Sequence, residues 1–222
     1  MKLVLRGNIE MAEYITNIVR NFRPDAGNPD QLLINEFNSM DTEAQGILTA
    51  SLSAGSPGGI VSFTSRLFDD ASGIDKYLTT VQNSSVERNK QVDNIAAKCS
   101  SIRLRIVRVL KQGKYVGSNP PTVMVRNFIR PKRGYADEAI SIIGDVIDNV
   151  PEGETSATLT ESTTGETGLL TLSIPSQNWQ AAEERYSQFR SSLGRPIAKR
   201  MMDITESNSR VPFFILANTI AM

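Results

Sequence analysis

Ten basic side chains and no acidic one lie within residues 94–136. A run of cations among apolar residues is typical of a surface that binds phosphate groups, because guanidinium and ammonium groups neutralise a nucleic-acid backbone. Arg130, Lys132 and Arg133 form a basic loop, and Phe128 lies just before it. An aromatic face can stack against an unpaired base. This segment therefore predicts contact with single-stranded nucleic acid, and RNA is the expected kind.

A second basic group lies on a helix predicted after Gly194. Arg195 and Lys199 are four positions apart, and Arg200 is adjacent, so the three share one side of that helix. If the helix packs beside the basic segment, the two form one groove. The predicted nucleic-acid contacts are Arg105, Arg108, Lys111, Lys114, Arg126, Phe128, Arg130, Lys132, Arg133, Arg195, Lys199 and Arg200. The alternative interpretation is a solvated cationic surface, with Phe128 in the core.

The chain contains no histidine and a single cysteine, Cys99. Without histidine there is no Ser–His–Asp or Cys–His nucleophile and no His-ligated zinc, copper or haem. One thiol forms no intrachain disulfide and is typical of a reducing compartment. The Gly- and Ser-rich stretch 53–59 lacks the Gly-Lys-Ser/Thr of a nucleotide-binding loop. We therefore predict no catalytic residue, no metal and no cofactor, and a protein that is not an enzyme.

Charge is sorted along the chain although the formal net charge is zero. The basic segment 94–136 is followed by an acidic segment, 137–184, which carries ten acidic side chains and no basic one. Complementary segments of this kind can pair within one subunit or between neighbouring subunits. The pattern therefore predicts a homo-oligomer.

Most of the chain is predicted to be helical. Apolar residues in 84–112 recur with helical spacing up to Leu110, which predicts one long amphipathic helix ending at Gly113. The alternating stretch Ile102–Ile106 inside it also fits a strand, and the longer helical register is preferred. The same spacing predicts helices at 8–22, 30–52, 135–149 and 177–192. It also predicts two short helices within 60–81 and a further helix that ends at about 206.

Three regions are predicted to be extended. They are a β-hairpin near 156–174 and short strands near 122–129 and 211–219. The predicted fold class is therefore mostly α, an α+β fold with a helical core. The predicted domains are an N-terminal helical arm or lobe, 1–52, and a main α+β domain, 60–222, with a single domain as the alternative. No internal repeat is visible in the sequence.

Together these features predict a self-assembling structural protein of the coat or nucleocapsid type, which binds nucleic acid non-specifically through its phosphates. Its expected partners are copies of itself and single-stranded nucleic acid. No membrane is expected, because no stretch approaches the ~20 apolar residues of a spanning helix. The expected location is the cytoplasm or a virion. The alternatives are a scaffold subunit without nucleic acid and an enzyme that depends on carboxylates or a divalent metal.

Overall fold

A computed structural model describes residues 12–39, 44–51, 59–192 and 194–220. The strands form where β-branched and aromatic residues are frequent, since these side chains pack well on a pleated surface. The described residues form eight strands: β1 (Tyr14–Phe22), β2 (Gly46–Ser51), β3 (Val61–Phe68), β4 (Cys99–Lys111), β5 (Val123–Pro131), β6 (Thr158–Ser162), β7 (Leu170–Ser176) and β8 (Thr205–Asn218).

Six helices are present in the described part of the chain: α1 (Asp30–Ser39), α2 (Ala71–Gln82), α3 (Val86–Ala96), α4 (Ala136–Asp148), α5 (Trp179–Ser192) and α6 (Gly194–Ile204). Polar caps set where two of them begin. The side chain of Asp70 accepts a hydrogen bond from the amide of Gly73 at the start of α2, and Ser85 accepts one from the amide of Arg88 at the start of α3. None of the described helices is long and apolar enough to cross a membrane.

The strands close into a barrel in the order β1-β3-β2-β8-β5-β7-β6-β4, and β4 returns to pair with β1. Every neighbouring pair is antiparallel. Closure pairs the strands at both sides and leaves no open sheet edge. An eight-stranded barrel is just wide enough for its own side chains to fill it or for one small ligand to bind inside.

The barrel is a structural duplication. Each half of the chain has the order β-α-β-β-α-β, with two helices in its last connection. The first half has the strand order β4-β1-β3-β2, and the second half repeats it as β8-β5-β7-β6. The halves join where β2 pairs with β8 and where β4 pairs with β6. The sequence shows no repeat, so the duplication is one of element order and strand pairing.

Side chains on each strand alternate between the barrel interior and the helices outside, as a period of two requires. On β3, Phe63 and Ser65 face the interior, while Arg66 faces α1 and donates a hydrogen bond to the carbonyl of Phe37. The middle of the barrel is filled by apolar side chains: Val19, Ile47, Phe63, Met124 and Phe213. Apolar side chains therefore fill the interior, while part of the outer face is exposed at Ile102 and Leu104 of β4.

The layers between the barrel and its helices differ in the two halves. The second half has an apolar layer, formed by Ile129, Ala139, Ile143, Ile147, Ala157, Leu159, Leu170, Met201 and Ile204. The first half contains buried charges beside its apolar residues. Glu36 of α1 pairs with Arg20 at 3.2 Å and with Arg88 at 3.8 Å, and Arg66 stacks over the ring of Phe37 at 4.0 Å.

The predicted mostly helical fold is wrong, because the chain forms an eight-stranded antiparallel barrel. The long helix predicted over 84–112 is α3 followed directly by β4. The helix predicted over 8–22 is β1 in its described part, and the one predicted over 30–52 is α1 followed by β2. These strands have both faces at least partly covered, so apolar residues occur at positions that a helix would also use.

The elements of the second half agree with the sequence. The hairpin predicted near 156–174 is present as β6 and β7, which pair with Leu159 opposite Leu172. The helices predicted at 135–149 and 177–192 are α4 and α5, and the predicted strands near 122–129 and 211–219 fall in β5 and β8. The start of the N-terminal arm, residues 1–11, and most of the loop 53–59 lie outside the described residues.

Candidate functional site

A cavity of about 1440 Å³ occupies one end of the barrel. Inward-facing side chains of seven strands line it, and it reaches the protein surface beside Asp70 and Lys76, which are exposed. Small-molecule pockets usually measure ~300–1,000 Å³. The barrel cavity therefore has room for an organic molecule that contains rings.

One wall of the barrel cavity carries hydroxyl groups. It is built by the inward faces of β6 and β7, where small polar residues alternate with buried leucines on the outer face, such as Leu159 and Leu170. The hydroxyl residues are Thr158, Thr160, Ser162, Thr171 and Ser173. Hydroxyl groups both donate and accept hydrogen bonds, so this wall can meet either kind of polar group on a ligand.

An aromatic cluster lies beside this wall, where Phe128 of β5 pairs with Thr171 of β7. The ring of Phe63 stacks on that of Phe128 with centroids 6.0 Å apart and meets the edge of Phe213 at 5.3 Å. Phe128 and Phe213 also meet at 6.5 Å. These three rings come from β3, β5 and β8. They form an apolar surface against which a flat molecule can pack.

Arg126 of β5 lies beside these rings. Its side chain is buried, with 5% of its surface exposed, and it lines the barrel cavity. The guanidinium carbon is 4.3 Å from the centroid of Phe63 and 5.1 Å from that of Phe213. Its Nη1 atom is buried and has no hydrogen-bond partner among the described residues.

The charge of Arg126 is not balanced inside the barrel. Across the described ranges, no carboxylate lies within salt-bridge distance of it. Burial lowers the pKa of Arg126 from its usual value to about 9, and no charged neighbour contributes to this change. The guanidinium therefore keeps its proton at neutral pH, and a cation without a counter-ion faces the cavity.

Tyr77 of α2 is a second buried polar group of the barrel cavity. Its hydroxyl has no hydrogen-bond partner in the part of the chain that the structure describes. Burial raises the pKa of this phenol, and the negative charge of Glu36 raises it further. Tyr77 therefore stays protonated and can donate a hydrogen bond.

The structure divides the residues that the sequence predicted as nucleic-acid contacts. Arg105, Arg126 and Phe128 line the barrel cavity, Lys114 lies at its exposed rim, and Arg130 lines a smaller cavity at the other end of the barrel. The remaining seven do not share this surface: Arg108, Lys111, Lys132, Arg133, Arg195, Lys199 and Arg200. The chain therefore does not bring the twelve residues together in one groove.

Four of those outer residues have partners on the barrel or its helices. Arg108 pairs with Glu161 at 3.3 Å, Lys111 with Asp148 at 2.5 Å, and Arg200 with Glu138 at 2.6 Å, while Lys132 donates to the carbonyl of Asp203 at 2.6 Å. Arg133, Arg195 and Lys199 are exposed. The acidic segment thus supplies intramolecular partners for the basic one.

Sequence reasoning did not find Phe63, Tyr77 or Phe213. The sequence does contain a signal for the cavity itself. Arg126 is the single cation in the apolar strand Val123–Ile129, and a charged residue at an inward position of such a strand must be paired or face a cavity. In the described residues, no three Cys, Asp or Glu side chains lie close enough together to hold a metal ion.

No protein-family model and no curated protein matches the chain. Several solved structures share its fold. A protein described as a candidate monooxygenase from Fusobacterium nucleatum has 14% identity and a TM-score of 0.70 over 95% of this chain and 97% of that one. An anthrone oxidase-like protein has 11% identity and a TM-score of 0.65, over 94% of this chain and 93% of its own.

A candidate chlorite dismutase is also similar, with 11% identity and a TM-score of 0.51 over 92% of this chain and 95% of that one. At these identities the likeness establishes the fold. It contradicts the prediction of a non-enzymatic coat, nucleocapsid or virion protein, because proteins described as enzymes share this architecture over nearly their whole length. The expected self-assembly stays a prediction.

Proposed function

We propose that the chain is an enzyme that binds an acidic, ring-containing organic molecule inside the barrel, with Arg126 as the partner of the acidic group, and oxidises it with dioxygen as the electron acceptor. The observation that carries this proposal is the buried guanidinium of Arg126, which faces the barrel cavity without a counter-ion. A buried charge without a partner is unfavourable by several kcal/mol, on the order of the loss seen when one member of a buried ion pair is removed. An anionic ligand would supply the missing partner.

The walls of the barrel cavity support a flat molecule with polar substituents. Phe63 and Phe128 offer ring faces, and the hydroxyl groups of β6 and β7 face the same space. Tyr77 adds a protonated phenol. A ligand with an acidic group at Arg126 could therefore pack its rings on the phenylalanines and place its other polar groups against the hydroxyls.

Oxidation is supported by the fold relatives described as a candidate monooxygenase and as anthrone oxidase-like. The residues of this chain would bind and orient the substrate and keep water away from it. A negative charge that develops on a substrate oxygen would be stabilised by Arg126, because a fixed cation acts strongly where little water screens it.

Titration calorimetry on the full-length protein tests the binding step. The probes are 2-naphthoate and its uncharged analogue 2-naphthamide. We expect Arg126→Met to weaken 2-naphthoate binding at least tenfold, about 1.4 kcal/mol or more, and to leave 2-naphthamide binding unchanged. The matched control is Arg108→Met, since Arg108 is also on a barrel strand but is exposed outside. Equal affinity of wild type and Arg126→Met for 2-naphthoate would refute the site.

An oxygen electrode tests the reaction step. Ring-containing acids and phenols that bind to the wild type should cause oxygen uptake, and the rate should fall at least tenfold in Arg126→Met, as for loss of one fixed charge that stabilises a developing anion. Binding without oxygen uptake for every ligand found would remove oxidation from the proposal and leave the binding site.

A further inference from the structure

The end of the barrel opposite the barrel cavity contains a second cavity of about 360 Å³. It is lined by the next inward-facing residues along the same strands, among them Arg103, Arg105 and Arg130. Phe63, Phe128 and Arg105 line both cavities and so form the partition between them. The side chain of Arg105 therefore adjoins both cavities, and its guanidinium contacts Glu166 in the second cavity.

A single carboxylate, that of Glu166, lines this second cavity in the described part of the chain. Its Oε2 atom lies 3.4 Å from Nη2 of Arg105 and 3.8 Å from Nη2 of Arg130. Three arginines and one glutamate leave the second cavity with an excess of positive charge. Glu166 is 41% exposed, and ion pairs at that exposure contribute little, so a competing anion can replace it.

The turn between β6 and β7 places Glu166 over this end of the barrel. Thr163 donates through its amide and its hydroxyl to the carbonyl of Ile106, and Thr164 accepts a hydrogen bond from the amide of Ile106. These contacts fix the turn to β4 directly beside Arg105. The carboxylate then reaches from β4 toward Arg130 on β5. Glu166 is thus an anion tethered across two arginines of different strands.

We infer that the second cavity is a subsite for a second acidic group of the ligand, and that Glu166 occupies it until that group replaces it. The substrate class is thereby narrowed to ring-containing molecules with two acidic groups, one at Arg126 and one at Arg105 and Arg130. This inference rests on the proposed function, because it assumes that the ligand is anchored at Arg126. Arg105, on the partition, is the specificity-determining residue.

Calorimetry with matched pairs of acids tests the subsite on the full-length protein. The pairs are benzoate and terephthalate, 2-naphthoate and naphthalene-2,6-dicarboxylate, and biphenyl-4-carboxylate and biphenyl-4,4′-dicarboxylate, which differ in the distance between their acidic groups. We expect at least one diacid to bind about tenfold more tightly than its own monoacid, as for one added charge-assisted contact. Glu166→Gln should increase that ratio, because it removes the competing carboxylate.

Arg130→Gln should return the diacid to the affinity of its monoacid without changing monoacid binding. In Arg105→Gln, which also alters the lining of the barrel cavity, the diacid should bind no more tightly than its monoacid. The matched controls are Glu161→Gln and Arg108→Gln, since that pair joins β4 and β6 at 3.3 Å on the outer face of the barrel. Monoacids that bind through Arg126 while no diacid gains affinity, in wild type or in Glu166→Gln, would overturn the second subsite and leave the proposed function intact. Absence of binding by every acid would overturn both.

Discussion

Replacement of Arg126 by methionine should make the ligand-free protein more stable. Burial lowers the pKa of this arginine well below its usual value, to about 9. At about 1.4 kcal/mol for each pH unit, the folded state holds the charge at a cost on the order of 5 kcal/mol. In the wild type, contacts with the rings of Phe63 and Phe213 reduce the cost of holding this charge by about 1–2 kcal/mol. Methionine removes both effects and keeps an unbranched apolar side chain in the same space.

The expected gain is roughly 3–4 kcal/mol, which for a chain of this size corresponds to a rise in Tm of about 6–16 °C. Scanning calorimetry at pH 7 without ligand measures it. Above about pH 9 the unfolded chain still binds a proton that the folded protein has released, so wild-type stability recovers as the pH rises. The difference in Tm between the two proteins should therefore be complete below pH 9 and become smaller above it.

Arg108→Met provides the control, since an exposed substitution should change the free energy of unfolding by no more than about 0.5 kcal/mol. A Tm of Arg126→Met several degrees below that of the wild type, with a difference that does not change up to pH 10, would refute the reasoning. That result would mean that the charge of Arg126 is balanced inside the ligand-free barrel, and the argument for an anionic ligand would be lost.

Two further substitutions test the packing around the barrel. Glu36→Gln should lower the free energy of unfolding by about 3–5 kcal/mol in urea titrations, because Arg20 and Arg88 would lose their shared carboxylate; a loss below about 1 kcal/mol would contradict this. Gly59→Ala should destabilise by more than about 1 kcal/mol, since the residue has φ +71° and its new Cβ would collide with the carbonyl oxygen of Phe22. Gly134→Ala, at φ +87° with open space around it, is the control and should show a smaller loss in the same titration.

Local patterns predicted the second half of the chain better than the first. The outer face of β6, the interior of the β6–β7 hairpin and the buried stripe of α4 follow the ordinary periods of two and 3.6. In β4 the period of two is also present, but its polarity is inverted. Ile102 and Leu104 are 42% and 45% exposed on the outside, while Arg103 and Arg105 line the second cavity. A rule that places apolar residues inside could not assign this strand.

Part of the candidate site was within reach of the sequence. Arg105, Arg126 and Phe128 were predicted as nucleic-acid contacts, and the structure places them in the lining of the barrel cavity. Their role as contacts stays a prediction. Their inward orientation depends on which strands pair, and strand pairing joins segments far apart in the chain. Tyr77 illustrates the limit, because its hydroxyl gains its environment from Glu36 and Arg66, which belong to different elements.

The duplication of the barrel has a consequence for its symmetry. A barrel formed by two identical subunits would present every inward residue twice, across a two-fold axis. Asn17 and Arg126 are each the fourth residue of the first strand of their half, and each lies opposite a serine, Ser65 or Ser173. Two guanidinium groups at these matching places would repel each other strongly in an interior with little water. One continuous chain permits a neutral amide at one of these matching places and a guanidinium at the other, so the interior has a direction along which an asymmetric molecule can be oriented.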